Sequence, residues 1–600
     1  MYQAITPAQP AWLASGALYA PDYEETYYRH TAAIKDAEQT FLTGCGLPER
    51  WRGHSQFCVL ELGFGLGLNF LATWHAWEKD PCRAERLHYV ALELHPFSKE
   101  SMARLHAHLL RDLPKHKRLA MELYERWPAL TSGLHRLHLA QGRVTLTLWF
   151  GDALAGLKQI QAHVDAFYLD GFSPERNPAM WSPGLLYQVA RLSNPGTMLS
   201  IWVKHPQVQK NLAHMRFQAL SSVLEGAENS AQRFVYAGRS TPNKPQPCKT
   251  EAWVIGAGLA GNSVAERLCA RGWQVRLFEG CARYGLGASG NHAGILRYLP
   301  SVDDNAISRL TRAGSQYAIR HLNELASSGI AQNWAASGVL HITQDKARQV
   351  HMERVVRTLA LPQEILRYVD QAEASDLAGV DVAGGGWWFA SAGWAQPCHV
   401  CSANIRASHR LTVIVETSVA RLEFDGENWQ GWTQEGAYLG MTPVVVLANG
   451  VGMNCFDQAR ALPIFAGRGQ TSLLSEQTPK ALKAAVMGAA YICPAAEGQH
   501  CVGASFNVEK VGALALRKQD QESNFLNLGQ TLPGYAESAL AVKNELSGHV
   551  GYRPLSPDRV PIVGRIPLGE AVQRYQDQSA LQKLPRPPGC MSSMAWGHED

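Results

Sequence analysis

Two glycine-rich turns, each preceded by an apolar strand and followed by an apolar helical stretch, constrain what this chain of 600 residues can fold into. The first is Cys58-Val-Leu-Glu-Leu-Gly-Phe-Gly-Leu-Gly-Leu-Asn69 and the second is Ala252-Trp-Val-Ile-Gly-Ala-Gly-Leu-Ala-Gly261. A strand that enters such a turn and leaves it as a helix is the start of an α/β unit that binds a nucleotide. Because the turns are far apart and the chain is too long for one hydrophobic core, we expect two domains.

Strands alternate with helical stretches on both sides of a polar, proline-rich stretch at 239–250, which has no apolar periodicity and is typical of a linker. Such alternation predicts parallel α/β sheets. We therefore predict an N-terminal domain over 1–238 and a C-terminal domain over 251–600. Apolar runs predict the strands of the first sheet: Phe57–Leu60, Leu87–Leu92, Val144–Phe150 and Ala166–Leu169.

Acidic residues stand at strand ends around the first glycine turn. Gly63, Gly65 and Gly67 let the backbone approach a ligand, and the helix that follows presents free N–H groups. Ligands of open α/β sheets bind at this edge, where three strands end in Glu61, Glu93 and Asp152. A pyrophosphate would be repelled by these acids, whereas carboxylates suit the ribose, adenine amino group and sulfonium of S-adenosylmethionine. The pattern therefore predicts an S-adenosylmethionine site.

A further strand of the first domain ends in Phe167-Tyr-Leu-Asp-Gly-Phe-Ser-Pro174, which places Asp170 at the same edge. A carboxylate there can orient an amine and accept its proton as a methyl group is transferred, although strand-end turns also favour aspartate. Phe172 and Trp181 can flank a flat substrate, and the alternative for both is ordinary core packing. We predict Asp170 as a catalytic residue.

The second glycine turn has the complete pattern of a dinucleotide site. Gly256, Gly258 and Gly261 follow one strand, and Glu279 ends the next, at about the twenty-residue spacing of an acid that binds ribose hydroxyls. FAD and NAD share this pattern. The second domain is therefore predicted to bind one of these two cofactors.

Three later segments favour FAD. The loop Gly285–Gly290, which contains Ser289, can reach the pyrophosphate, and 444–450 is a late strand with a small-residue turn. Residues 551–564 resemble the segment that many flavin amine oxidases place beside the isoalloxazine. Within it, Arg553 can hold a substrate carboxylate through paired hydrogen bonds, unless it forms a surface ion pair. Residues 467–470 are weaker candidates for the same pocket.

Composition indicates a folded, soluble protein, with 46% hydrophobic and 18% charged residues. We expect a cytoplasmic protein, because neither a signal peptide nor a membrane span is evident. Most of the 12 cysteines should then be free thiols. Cys398 and Cys401 have the spacing of half a zinc site, but without a second pair we predict no metal.

A basic stretch between Lys99 and Arg143 suggests nucleic-acid binding, since its cations suit a phosphate backbone and its aromatic residues, Tyr124 and Trp127, can stack on bases. The alternative is a solvated helical face that is basic by chance. The cations and histidines are Arg104, Arg111, Lys115, Lys117, Arg118, Arg126 and Arg136, with His106, His108, His116, His135 and His138.

The whole chain resembles the family of bifunctional bacterial enzymes that make 5-methylaminomethyl-2-thiouridine in tRNA. The matching motifs are Glu61–Asn69, Leu169–Pro174 with Asn177–Trp181, Gly256–Gly261 and Gly287–Asn291. The resemblance implies a Rossmann-like class I methyltransferase domain, followed by an FAD-binding α+β domain of the glycine/D-amino-acid oxidase type.

The resemblance also implies a substrate, the wobble uridine of certain tRNAs with a carboxymethylaminomethyl group at C5. The FAD domain would remove the carboxymethyl group, and the other domain would methylate the amine that remains. Two alternatives stay open: a fusion that acts on small amines or amino acids, and a tRNA-binding protein whose oxidoreductase half is vestigial. The sequence does not indicate an oligomeric state.

The end of the sequence departs from the family pattern. Family members continue through a Gly-His-Gly-Ser-Arg-Gly type loop into a closing helix, whereas this sequence ends at Asp600 without either. Such a helix helps to stabilise negative charge on a reduced flavin. We therefore expect a truncated C-terminus and an impaired FAD affinity or oxidase activity.

Overall fold

A computed structural model describes residues 3–28, 33–220, 231–239, 250–330, 333–476, 482–535, 541, 545–566 and the backbone of 590–592. Most of the predicted linker at 239–250 and the last residues of the chain lie outside this description. The chain divides into two compact units, 1–247 and 248–600. The exact domain limits stay a prediction.

The first unit is built on an eight-stranded sheet in the order β10-β11-β9-β8-β4-β5-β7-β6. Neighbours from β9 to β7 are parallel, while β6 and β11 run antiparallel to their neighbours. A small separate sheet, β1-β2-β3, precedes it. The strands are β1 Ala11–Trp12, β2 Leu18–Ala20, β3 Glu25–Thr26, β4 Gln56–Leu62, β5 Arg86–Glu93, β6 Gly133–Leu139, β7 Val144–Phe150, β8 Val164–Leu169, β9 Ser193–Ile201, β10 Phe217–Leu220 and β11 Gln232–Tyr236.

The four strands predicted for this sheet are confirmed as β4, β5, β7 and β8. They are nearly continuous apolar runs because a parallel sheet is covered on both faces. Two buried clusters provide that cover, one containing Phe70, Trp74 and Leu119, the other containing Leu185 and Leu212. The strand order reverses between β4 and β8, and such a switch point opens a crevice for a ligand at the carboxyl ends of the strands.

Helices cover both faces of this sheet, and several begin at a recognisable cap. Asp152 Oδ1 accepts a hydrogen bond from the Ala155 amide, and Ser98 and Ser182 cap two other helices in the same way. The helices are α1 Ala33–Ala37, α2 Leu68–Lys79, α3 Lys99–Leu109, α4 Pro114–Glu125, α5 Ala153–Gln159, α6 Pro183–Arg191 and α7 Pro206–His214.

The interpretation of 99–143 as a basic face with stacking aromatics is wrong for four of its rings. His106, His116, His135 and Trp127 are buried, and Trp127 packs on Phe64 at a centroid distance of 5.8 Å. The long cations of this stretch reach solvent, as does His108, while Tyr124 and His138 are partly exposed.

The second unit contains a five-stranded parallel sheet in the order β20-β13-β12-β24-β31, which carries the second glycine turn. A larger mixed sheet is built around β25 and β30, which pair antiparallel from Phe465 with Leu555 to Ser472 with Gly548. The predicted strands at 252–255, 274–279 and 444–450 are confirmed as β12, β13 and β24. The strands described in the second unit are β12 Glu251–Ile255, β13 Gln274–Phe278, β14 Gly294–Leu296, β15 Trp334–Ala335, β16 Val339–Ile342, β17 Arg367–Val369, β18 Gly386–Phe389, β19 Gly393–Ala395, β20 Leu411–Ile414, β21 Val419–Phe424, β22 Trp429–Thr433, β23 Tyr438–Thr442, β24 Val445–Leu447, β25 Phe465–Ser475, β26 Ala485–Met487, β27 Tyr491–Ile492, β28 Gln499–Gly503, β29 Asn507–Val508, β30 Gly548–Leu555 and β31 Cys590–Ser592.

The second unit is α+β in character, and helices pack on its large mixed sheet: Phe525 and Leu528 share a buried cluster with Leu340 and Val486 of that sheet. The helices are α8 Leu259–Ala270, α9 Ala306–Ser327, α10 Lys346–Leu359, α11 Gln371–Ala378, α12 Pro397–Arg406 and α13 Lys518–Thr531.

Candidate cofactor and substrate sites

The glycine turn after β4 brings the backbone of two crevice loops together. Gly63 has φ +90°, and a Cβ there would overlap the carbonyl oxygen of Asp170. Asp170 in turn donates its backbone N–H to Leu62 O at 3.0 Å. Glycine is required at position 63 because any side chain would separate the two strand ends.

Glu93, at the end of β5, braces this turn. One carboxylate oxygen accepts the Gly65 amide at 2.8 Å and the other accepts the His95 amide at 2.9 Å. Gly65 itself borders open space, with Tyr27 as the nearest neighbour of a Cβ built there, at 3.9 Å. Glu93 therefore fixes the loop and leaves its remaining lone pairs for a ligand.

Asn69, at the start of α2, joins the acidic side chains of Glu61 and Asp170. Its Nδ2 donates to Glu61 Oε1 at 2.7 Å and to Asp170 Oδ2 at 2.6 Å. Glu61 is fully buried and also accepts a hydrogen bond from the Tyr89 hydroxyl at 3.0 Å. Glu61 thus lies behind the site, while Asp170 stands at its edge and remains partly exposed.

Burial and mutual repulsion govern the charge of this cluster. Burial, with a smaller contribution from Glu93, raises the pKa of Asp170 to about 7, against the opposing hydrogen bond from Asn69. Burial and the Asp170 charge raise the pKa of Glu61 as well. A carboxylate with a pKa near neutrality can both hold and release a proton, as a general base must.

An aromatic wall stands over this crevice, in which Phe172 is joined by two tyrosines that the sequence did not indicate. Phe172 stacks on Tyr23 at a centroid distance of 4.3 Å and meets Tyr27 edge-on at 5.5 Å. Glu25 holds the same loop, because one of its oxygens accepts both the amide and the hydroxyl of Ser173 at 2.9 Å. The role predicted for Phe172, flanking a flat substrate, stays a prediction.

Two predicted residues have structural contacts of their own. Trp181 is buried and donates its indole N–H to Phe172 O at 2.8 Å, so it supports the loop and does not flank a substrate. Asp152 is exposed and caps α5, as described above. Its contact with the cofactor stays a prediction.

The residues of this crevice fit S-adenosylmethionine. The positive-φ glycines open the backbone, and the acidic side chains of Glu93 and Asp170 beside the turn favour a cation such as the sulfonium. An anionic pyrophosphate would meet repulsion there. The site of the first unit therefore suits a methyl donor.

The second glycine turn, between β12 and α8, is equally tight. A Cβ on Gly256 would lie 2.6 Å from Asn449 Cα, and one on Gly261 would overlap the carbonyl oxygen of Gly256. Gly258 is different, because its φ is −76° and a Cβ would meet only the Ser289 hydroxyl, at 3.0 Å. Ser289 also accepts the Leu259 amide at 3.0 Å, so its hydroxyl lies at the N-terminus of α8.

Glu279 repeats the arrangement of Glu93. One oxygen accepts the Ala257 amide at 2.9 Å and the other accepts the Cys281 amide at 3.0 Å. In both units, the strand that follows the glycine turn ends in a glutamate, and this glutamate accepts a backbone hydrogen bond from the turn. The predicted binding of ribose hydroxyls by Glu279 is compatible with this position.

Arg553, on β30, is a partly buried cation that lacks a partner for one nitrogen. Within the described part of the chain, its Nη1 is buried and makes no hydrogen bond. Burial lowers the pKa of the guanidinium, while Tyr491 and Cys501 oppose that effect. Two residues earlier, Gly551 packs against Ala288 of the loop that contains Ser289. Arg553 is therefore close to the segment predicted to hold the pyrophosphate.

The segment 467–470 meets this site through its two glycines. Gly467 is the cross-strand partner of Arg553. A Cβ on Gly469 would lie 3.5 Å from the Arg553 guanidinium carbon. Arg468 pairs with Asp520, and Gln470 accepts the Arg517 amide at 2.8 Å, both fully buried. Side chains alternate along a strand, so Arg468 and Gln470 face away from Arg553.

The residues of the second unit fit FAD. α8 has no acidic residue in its first turn, so its N-terminus can accept a pyrophosphate. The buried Oδ1 of Asn449, beside Gly256, has no partner among the described residues and is available to a ligand. FAD, when bound, supplies two-electron oxidation chemistry.

The described part of the chain contains no group of three His, Cys, Asp or Glu side chains arranged to hold a metal. Cys398 and Cys401 are both free thiols at the start of α12. Among the same residues, no helix is sufficiently long and apolar to cross a membrane.

Comparison with known proteins defines the class of each unit. A model of FAD dependent oxidoreductases matches residues 251–583, and a model of S-adenosyl-L-methionine-dependent methyltransferases matches 114–226. The crystal structure of glycine oxidase from Geobacillus kaustophilus aligns with a TM-score of 0.45 and 17% identity, over 57% of this chain and 88% of that one. The two family models show that the chain is a methyltransferase fused to an FAD-dependent oxidoreductase, and that it binds S-adenosylmethionine and FAD.

Relatives over the full length identify the family. The tRNA 5-methylaminomethyl-2-thiouridine biosynthesis bifunctional protein MnmC of an Azoarcus species is 44% identical, over 99% of this chain and 92% of the relative. The protein of the same name from Aromatoleum aromaticum is 41% identical, with the same coverage of both. This chain belongs to the family of tRNA 5-methylaminomethyl-2-thiouridine biosynthesis bifunctional proteins.

Proposed function

We propose that this chain carries out two successive reactions on the wobble uridine of tRNA. The C-terminal unit converts a 5-carboxymethylaminomethyl group to 5-aminomethyl, and the N-terminal unit methylates that amine to 5-methylaminomethyl. A tRNA substrate also implies that the chain acts in the cytoplasm. The complementary chemistry of the two sites supports this pair of reactions: a guanidinium with one buried, unpartnered nitrogen in one site, and a carboxylate of near-neutral pKa in the other.

In the oxidase step, Arg553 binds the carboxylate of the carboxymethyl arm. The free Nη1 and the burial of the group favour a charge-assisted hydrogen bond to an anion. This contact orients the C–N bond that is oxidised. Hydrolysis of the resulting imine then cleaves the arm from the base and leaves an amine.

In the methylation step, Asp170 receives that amine. A carboxylate at the crevice edge orients the nitrogen toward the methyl group and takes its proton as the new N–CH3 bond forms. The aromatic wall of Tyr23, Tyr27 and Phe172 encloses the base, and Asn69 holds the Asp170 carboxylate in place.

Nucleoside mass spectrometry of tRNA tests this assignment. A bacterial strain that lacks the activity is complemented with wild-type, Asp170→Asn or Gly258→Ala protein. We expect Asp170→Asn to leave the aminomethyl base, because methylation alone is blocked. Gly258→Ala crowds only Ser289 and should weaken FAD binding, leaving the carboxymethylaminomethyl base. Accumulation of the normal end product with both variants would contradict the proposed roles.

A further inference from the structure

An acid-free basic segment follows β9. Residues 202–220 contain three lysines or arginines, two histidines and no aspartate or glutamate. The three permanent cations are Lys204, Lys210 and Arg216. They lie before, within and after α7.

These cations all face solvent. α7 buries Val208 and Leu212 against the sheet and leaves Lys204, Lys210 and Arg216 exposed. Within the described residues, none of the three is in an ion pair with a carboxylate; the nearby His205 pairs with Glu175 at 3.5 Å. Three unneutralised charges on one short element create a local positive potential.

The segment begins at the wall of the methylation site. β9 runs parallel to β8, so both strands end at the same edge of the sheet as Asp170. Trp202, directly after β9, donates its indole N–H to Gly171 O at 3.2 Å. The basic segment is therefore connected to the Asp170 loop.

The longer stretch 99–143, by contrast, contains four acidic residues beside its nine lysines and arginines, and some of its cations are paired with nearby acids. Arg118 pairs with Glu78, and Arg126 lies 3.6 Å from Glu125 and 4.0 Å from Glu122. Arg111 lies 3.6 Å from Asp112. Charge density alone therefore favours the α7 segment as a binding surface for a polyanion.

We propose that Lys204, Lys210 and Arg216 contact the phosphate backbone of the tRNA whose wobble base enters the Asp170 site. This inference rests on the proposed function, which supplies the nucleic acid as partner. The contacts fix the position of the RNA without reading its sequence, as phosphate contacts do.

Counterion release makes the proposal measurable. Each phosphate contact adds roughly 0.7–0.9 to the slope of log affinity against log salt concentration. Loss of three contacts therefore lowers the magnitude of that slope by about 2 to 3. A change that removed only packing would leave the slope unaltered.

The experiment measures tRNA binding to the full-length protein across a range of salt concentrations. The test variant is Lys204→Gln/Lys210→Gln/Arg216→Gln. A matched control, Arg111→Gln/Lys115→Gln/Lys117→Gln, removes the same number of exposed cations from the start of α4 and the turn before it. Affinity for S-adenosylmethionine is measured in each protein to show that the fold is intact.

We expect the test variant to bind tRNA at least about tenfold more weakly at physiological salt, with a reduced slope and an unchanged kcat for methylation. The control variant should keep the wild-type slope. A test variant with the wild-type slope, or a control with an equal loss, would overturn the proposal. If the triple variant does not fold, Lys210→Gln alone should reduce the magnitude of the salt slope by about 0.7–0.9. An unchanged slope in that variant would contradict the proposal.

The same data separate this inference from the proposed function. Wild-type protein without salt-dependent tRNA affinity would refute the proposed function and this inference with it. Wild-type protein that binds and methylates tRNA, with α7 variants indistinguishable from it, would refute this inference alone.

Discussion

Asn69 Nδ2 donates a hydrogen bond to Asp170 Oδ2 at 2.6 Å, across a separation of 101 residues in sequence. The same nitrogen donates to the buried Glu61 at 2.7 Å, so one amide uses both of its hydrogens on acidic side chains. This contact stabilises the charged form of Asp170 against burial and against Glu93. The charge and orientation of the proposed catalytic carboxylate thus depend on Asn69, a neutral residue of the helix that follows the glycine turn.

Asn69→Ala should move the pH dependence of methyl transfer. Asp170 acts as a base only when deprotonated, so the rate falls as the pH drops below about 7. Loss of the Asn69 donor raises the pKa of Asp170 further, and the acidic limb should move up by about 1 to 2 pH units. Single-turnover rates at saturating S-adenosylmethionine measure this limb.

Thr73→Val provides a matched control for that experiment. Thr73 is buried one turn further along α2 and donates to Asn69 O at 2.7 Å, without touching either carboxylate. This variant should retain the wild-type pH profile. Equal displacement in both variants would show that Asn69 acts through helix packing only.

His106 should make the first unit more stable at neutral than at acidic pH. It is buried between Leu66 O at 2.8 Å and the Tyr124 hydroxyl at 2.6 Å, and burial lowers its pKa to about 4. Since the unfolded pKa is higher, its contribution is complete above about pH 6.5 and is lost as the pH falls toward 4. The loss amounts to about 3 kcal/mol.

His106→Phe should make the stability of the first unit less dependent on pH, although the variant also loses the hydrogen bond to Leu66 O in the glycine loop. Hydrogen exchange of the β4 amides between pH 4 and 7, corrected for the intrinsic effect of pH, reports on the first unit alone. The same pH dependence in variant and wild type would show that another group is responsible.

Glycine substitutions should separate cofactor binding from folding in the second unit. Gly258→Ala meets only the Ser289 hydroxyl and should give folded protein with FAD affinity reduced by about tenfold or more. Gly261→Ala places a methyl group on the Gly256 carbonyl and should disrupt the turn itself. Flavin absorbance per protein, together with circular dichroism, distinguishes the two. Full flavin content in Gly258→Ala would contradict the close approach assigned to this residue.

Arg553→Ala should raise the KM for tRNA that carries the carboxymethyl arm. Loss of a charge-assisted hydrogen bond costs about 1.5–3 kcal/mol, which corresponds to a factor of about 10 to 100. Arg553→Lys keeps the charge without the paired geometry and should be intermediate. The rate of flavin reduction at increasing tRNA concentration measures both variants. A wild-type KM in Arg553→Ala would exclude a contact with the carboxylate.

The sequence predicts the parts of each site that are local. Strand, glycine turn, helix and the acid of the next strand follow one another closely, and parallel strands end at one edge. Glu93 and Glu279 are therefore predictable in position. Their hydrogen bonds to the Gly65 and Ala257 amides are not, because a carboxylate at this edge can bind either ligand or backbone.

Contacts between distant segments are the part that could not be predicted. Glu25 reaches Ser173 across 148 residues, and no periodicity relates the two. The error at 99–143 was avoidable in part. His116 precedes Leu119, Ala120 and Leu123 at helical spacing, and that spacing indicates the buried face of α4.

The most direct test is a stepwise reaction with the purified full-length protein and tRNA that bears the 5-carboxymethylaminomethyl group. Without S-adenosylmethionine, mass spectrometry of the nucleosides should show only the 5-aminomethyl base as product. Addition of S-adenosylmethionine should convert it to the 5-methylaminomethyl base, and Asp170→Asn should stop at the amine. Methylation of the base with its carboxymethyl arm still attached, or a completed second step with Asp170→Asn, would contradict the account.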